Sequence, residues 1–189
     1  MATEPPKIGR KPLIRIAVVI LILLGVYSYF AGTYNEMVRL DENVQSAWGQ
    51  VENQYQRRAD LIPNLVNTVK GYAAHEQATF TAVLEARAKA TQVVIDADHL
   101  DAVSLKRFSA AQGELSSALS RLMAVSESYP DLKSSENFVM LQSQLEGTEN
   151  RIALARNEYN ESVQVYNSYI RRFPQLIFAR LFGFDVRGY

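Results

Sequence analysis

Residues 16–35 read IAVVILILLGVYSYFAGTYN, twenty positions without a charged side chain. A helix of that length rises about 30 Å, the thickness of the hydrocarbon core of a bilayer. Its centre, Ile16–Phe30, is apolar on every face, whereas a helix buried in a soluble domain normally keeps a polar stripe. Tyr27, Tyr29, Phe30 and Tyr34 gather at its C-terminal end, as an interfacial aromatic belt would. Pro12 sits at the start, where a first turn tolerates it. The window predicts one membrane-spanning helix over residues 13–33. A cleaved signal peptide has the same basic and apolar regions, but Tyr29-Phe30-Ala31 places a large aromatic where a small-x-small cleavage site needs a small residue. An uncleaved anchor is therefore expected.

The charges around this window are polarised. The whole chain of 189 residues is neutral, with 20 basic and 20 acidic side chains. Lys7, Arg10, Lys11 and Arg15 precede the window against a single acid, Glu4, and residues 36–189 carry a small acidic excess. The positive-inside rule then predicts a cytoplasmic N-terminal segment (1–12) and a large domain on the extracytoplasmic side of the membrane, which in a Gram-negative cell is the periplasmic side of the inner membrane. The balanced total disfavours a nucleic-acid partner.

Beyond the window the chain is poor in helix breakers. Among six prolines, only Pro63 falls between Thr33 and Ser128. Apolar residues recur in steps of three and four at Val44, Trp48, Val51 and Tyr55, then Ile62, Val66, Val69 and Ala73, then Phe80 and Leu84. These steps predict a long helix from about 33 to 94. A mid-helix proline removes a backbone donor and crowds the preceding turn, so a kink or break is expected near 59–63, with Gly71 as a second weak point. Asp98 is a candidate N-cap for the next stripe, Phe108, Ala111, Leu115, Ala118, Leu122 and Val125, which ends at Tyr129-Pro130. Ser134 or Ser135 starts a third stripe, Phe138, Leu141, Leu145, Ile152, Ala155, Tyr159 and Tyr166, in a heptad frame like that of a coiled coil. Pro174 stops it. The expected fold is all-α: an N-terminal transmembrane helix followed by an antiparallel bundle of three or four long helices over 34–172, then an apolar C-terminal segment over 173–189.

Chemistry-bearing motifs are scarce. The absence of cysteine excludes disulfides, thiolate metal sites and a cysteine nucleophile. His75-Glu76 begins like a zinc-protease motif, but position 79 is Thr. His99 falls at an expected helix start. No glycine-rich phosphate loop occurs, and Gly113 and Gly147 stand alone within expected helices. No metal, cofactor, catalytic residue or small-molecule substrate is expected. A hydrolase built on carboxylates would require two of them to converge in a deep pocket.

Two segments are candidates for interaction. Arg57, Arg58, Asp60 and Asn64 surround Pro63. Arg57 and Asp60 can pair on a helix surface while Asn64 satisfies a carbonyl freed by the proline; alternatively, the cluster is a notch that binds a small anion or peptide. The run Phe173–Phe184 is mostly apolar, with Arg171, Arg172 and Arg180 close by. Its Leu176, Ile177, Phe178, Leu181 and Phe182 either cap the bundle or form a patch for another subunit or the membrane interface. Helix parity decides between the last two: three helices leave the segment far from the bilayer, and four return it there.

The stretch Trp48-x-x-Val51-Glu52-x-Gln54-Tyr55-Gln56-Arg57-Arg58-x-Asp60-Leu61-Ile62-Pro63-Asn64-Leu65-Val66 resembles the signature of the LemA family. The resemblance continues through Val69-Lys70-Gly71-Tyr72-Ala73, Tyr129-Pro130, Leu141-Gln142, Glu146-Gly147-Thr148-Glu149-Asn150-Arg151-Ile152, Tyr159-Asn160, Tyr166-Asn167 and Phe173-Pro174. It implies a bacterial single-pass protein with a long-helix bundle and no established enzymatic activity, and it brings no catalytic residues with it. The resulting expectation is a non-enzymatic, membrane-anchored scaffold or adaptor of the cell envelope. Its partners would be the membrane, a second copy of the chain or another envelope protein.

Overall fold

The computed structural model describes residues 10–97 and 100–189, with side chains from Leu13 onward. The Asp98 and His99 expectations, and those for the basic residues before Leu13, lie outside the described side chains. Every regular element among the described residues is helical. The elements are α1 (Arg10–Tyr72), α2 (Gln77–Gln92), α3 (Ala102–Ser126), α4 (Pro130–Lys133), α5 (Glu136–Ile170) and α6 (Gln175–Phe182).

The first helix departs from expectation. It runs for 63 residues, about 95 Å at 1.5 Å per residue, without a break at Pro63. The break comes at Ala73–Glu76, just past Gly71, where Glu76 N donates to Ala73 O at 3.0 Å. Pro63 leaves the carbonyl one turn back, that of Ala59, without its helical donor. Arg87 Nε on α2 supplies a replacement at 2.7 Å. Asn64, the residue expected to satisfy the freed carbonyl, is exposed, and its own carbonyl accepts from Thr68 Oγ1 at 2.9 Å. The break at 73–76 also resets the helical phase, so α2 buries Phe80, Val83, Ala86 and Ala90 and leaves Leu84 outside.

The next starts and stops have local causes. Asp101 is the N-cap of α3; its carboxylate accepts from Val103 N at 2.7 Å and Ser104 N at 3.0 Å, filling two of the donors that a helix start leaves open. Pro130 opens α4, where its missing N–H costs nothing. Ser135 precedes α5, whose Phe138, Leu141, Leu145, Ile152, Ala155, Tyr159 and Tyr166 are all buried, as the heptad frame predicts.

The soluble part of α1 and the helices α2, α3 and α5 form the antiparallel bundle. Its distal core joins Ile62, Leu65 and Val69 of α1 with Phe80, Leu115, Leu122 and Phe138. Its proximal core joins Met37, Val44 and Trp48 of α1 with Phe108, Tyr159, Val163 and Tyr166. Burying a Leu, Ile or Phe contributes about 1.5–3 kcal/mol, so these two clusters carry most of the packing. Four helices return the chain to the end of α1 that bears the apolar window. Residues 13–30 of that window are exposed. It is the one described helix long and apolar enough to cross a membrane.

Candidate functional site

The C-terminal segment closes the proximal end of the bundle. α6 lays Phe178 and Ala179 against α1, with the Phe178 ring edge-on to Phe30 at 4.6 Å and to Tyr29 at 6.2 Å. Phe182 and Phe184 flank Tyr34 at 5.1 and 5.8 Å. Gly183 ends α6 at φ 76°, a conformation that a side chain would strain, and Phe184 N bonds back to Ala179 O at 2.9 Å. The five apolar candidates therefore divide. Phe178 is buried, whereas Leu176, Ile177, Leu181 and Phe182 remain exposed.

After Gly183 the chain doubles back as a strap along α5. Tyr166 Oη donates to Asp185 O at 2.9 Å, and Tyr159 Oη donates to Gly188 O at 2.9 Å. The Asn167 side chain forms a two-way bridge to Arg187, its Nδ2 donating to the Arg187 carbonyl at 2.8 Å and its Oδ1 accepting from the Arg187 amide at 2.9 Å. Gly188 N donates to Leu100 O at 2.8 Å. A Cβ at Gly188 would stand 2.7 Å from Leu105 and 2.9 Å from the Ala102 backbone, so only glycine fits there. Arg187 also forms a forked pair with Asp41 on α1. Burial pushes the Tyr159 and Tyr166 hydroxyls up to about 12. Sequence periodicity gives no notice of this strap. Its one signal is a set of polar groups, Tyr159, Tyr166 and Asn167, placed on an otherwise apolar stripe.

The polar cluster around Pro63 is dispersed. Arg57, Asp60 and Asn64 are exposed, and Asp60 accepts from Gln56 Nε2 at 2.8 Å. Arg58 points the other way and is 1 % exposed. Its Nη1 donates to Ser116 Oγ at 2.9 Å and Glu149 Oε1 at 2.7 Å. Its Nη2 donates to Gln112 Oε1 at 2.6 Å, and the guanidinium lies 5.0 Å from the Tyr55 ring. These bonds tie α1 to both α3 and α5 at the seam between those two helices, while α1 packs along α5 and α2 along α3. Two cavities open on that seam. One, of about 470 Å³, is lined by Trp48, Tyr55, Phe108, Lys106, Arg156 and Tyr189. The other, of about 650 Å³, is lined by Leu119, Met123, Leu145, Glu146 and Glu149. His75 is exposed, and among the described residues no three metal-ligating side chains converge.

Fold and site together define a helical-bundle protein whose first helix carries an apolar segment long enough to cross a membrane. The chain belongs to the LemA family, whose model matches residues 47–189. It is 28% identical to magnetosome protein MamQ of Magnetospirillum gryphiswaldense over 96% of this chain and 73% of that protein. It is also 28% identical to magnetosome protein MamQ 2 of Paramagnetospirillum magneticum, over 98% of this chain and 75% of that one. Protein LemA of Metamycoplasma hominis is 25% identical over 81% of this chain and 67% of its own length.

Proposed function

We propose that this LemA-family protein is a non-enzymatic, membrane-anchored helical scaffold or adaptor of the bacterial envelope, acting by self-association or by binding another envelope protein. The observation that carries the reading is the continuity of α1. One helix holds both the apolar window and the α1 face of both cores, so the bundle has no flexible joint to the membrane. The side chains used by the strap and by Arg58 serve internal packing, which fits a structural role. Lys7, Arg10, Lys11 and Arg15 favour a cytoplasmic N-terminus with the bundle on the opposite side. Crosslinking in cells, followed by sizing of the full chain in mild detergent, tests the role. Adducts to itself or to a recurrent envelope protein are expected; a monomer with no adduct would refute it.

A second reading, a sensor for a small anion or peptide, draws support from the cavity of about 470 Å³ with Lys106 and Arg156 at its edge. That moves the binding position away from Arg57, Asp60 and Asn64. A thermal shift with an anionic peptide, abolished in a Lys106→Ala/Arg156→Ala variant, would favour it.

A further inference from the structure

We propose that α6 is an interfacial foot, which inserts its outer face into the headgroup region of the leaflet from which the bundle emerges and favours anionic lipid there. The inference rests on the membrane-anchored reading above and adds a second point of contact with the bilayer.

Three observations converge. The first is level. Phe178 packs on Tyr29 and Phe30, which lie within the last turns of the apolar window, so α6 sits at the depth of the aromatic belt. The second is an unspent apolar face. With Phe178 and Ala179 buried inward, Ile177 is still 55 % exposed, Leu181 69 % and the neighbouring Phe173 82 %. A helix that only capped the bundle would turn polar side chains to water. The third is charge. From Ser162 to Phe184 there is no acidic residue, while Arg171, Arg172 and Arg180 are all exposed, in a domain whose total is mildly acidic. Exposed aliphatic and aromatic side chains with arginines beside them, continuous with a membrane-spanning helix, match the chemistry of an acidic lipid surface.

The chain has no cysteine, so single labelling sites can be introduced cleanly. Full-length Leu181→Cys and Leu154→Cys, the latter exposed at mid-α5, would carry an environment-sensitive fluorophore in nanodiscs of mixed anionic and zwitterionic phospholipid. The Leu181 label should be quenched by lipid-borne nitroxide and shielded from aqueous iodide, and the Leu154 label should behave oppositely. Ile177→Cys repeats the measurement should Leu181→Cys lose helicity. An Arg171→Gln/Arg172→Gln/Arg180→Gln variant should lower lipid quenching at Leu181 in anionic discs, and an unchanged signal would overturn the lipid preference. Equal iodide access at both positions would overturn the foot. So would shielding at Leu181 without lipid quenching, accompanied by photo-crosslinks to a second copy or another protein. Alkaline extraction of the same membranes separates anchor from foot. Loss of the protein into the supernatant would refute the anchor itself. With the protein retained, the quenching pattern at Leu181 alone decides whether α6 touches lipid.

Discussion

Arg187 grips Asp41 through two bonds of 2.9 Å, Nε to one carboxylate oxygen and Nη2 to the other, closing a contact across 146 positions of chain. Both side chains are mostly buried, at 15 % and 16 % exposed. A forked pair of this kind holds direction as well as charge, and it fixes the end of the strap to the first turns of α1 above the membrane window. Truncating one partner leaves the other charge poorly solvated. Arg187→Ala is expected to cost about 2 kcal/mol of stability, read as a lowered unfolding midpoint in detergent. An Asp41→Asn/Arg187→Gln double variant, which buries no lone charge, should be the milder change. An Arg187→Ala protein that unfolds like the parent would show that the strap is held elsewhere.

The tyrosines beneath the strap give it a pH limit. Tyr159 and Tyr166 donate their hydroxyl protons to strap carbonyls, and burial raises both to about 12, against the usual value near 10. A raised folded-state value favours the protonated form. The stabilisation is complete below pH about 10 and is lost as pH rises from 10 through 12. Absorbance at alkaline pH should therefore show a late tyrosine step to which Tyr159 and Tyr166 contribute, together with a fall in helicity. In a Tyr159→Phe/Tyr166→Phe protein the late step should shrink and the accompanying loss of helicity should go with it. A late step of undiminished size there would contradict the assignment.

Arg58 is expected to behave as a structural spacer. It reaches from α1 to Ser116 and Gln112 on α3 and to Glu149 on α5, joining the two outer helices through one guanidinium. Arg58→Ala should cost about 3 kcal/mol or more, because the cavity and the stranded Gln112 side chain add to the lost bonds. Lysine should restore little, since an ammonium lacks the planar fork that serves several acceptors. Glu149→Gln should cost less than about 1 kcal/mol, as that carboxylate is half in water. Chemical denaturation of the three variants checks the ranking, and a ranking led by Glu149→Gln would contradict the spacer role.

These elements divide by how they could be read in advance. The stripe from Phe138 to Tyr166 was legible because every apolar residue in it packs against helices at a fixed period, and all seven are buried. The C-terminal apolar run was legible as a candidate because apolar density is local. Arg58 was not separable from Arg57, since adjacent helical positions differ by about 100° in direction and only the neighbouring helices decide which one is inside. The strap has no periodicity; it is held by side chains meeting a backbone far away in sequence. Which of Pro63 and Gly71 breaks the first helix was not legible for a similar reason: a proline's cost depends on whether another element supplies the lost hydrogen bond, and here it comes from α2.

That last relationship yields a double-mutant test. Ala59 O accepts from Arg87 Nε at 2.7 Å because Pro63 has no amide proton to offer it. With Pro63 in place, Arg87→Ala leaves a buried carbonyl unpaired, at an expected cost of about 1–2 kcal/mol. Pro63→Ala restores an amide that can bond to Ala59 O in the ordinary helical way, and it removes the ring that crowds the preceding turn. In that background Arg87→Ala should cost appreciably less, so the two substitutions couple by about 1 kcal/mol. Urea unfolding of the four proteins measures the coupling. Strict additivity would mean that Arg87 contributes through packing alone, and that α1 tolerates Pro63 for some reason other than this bond.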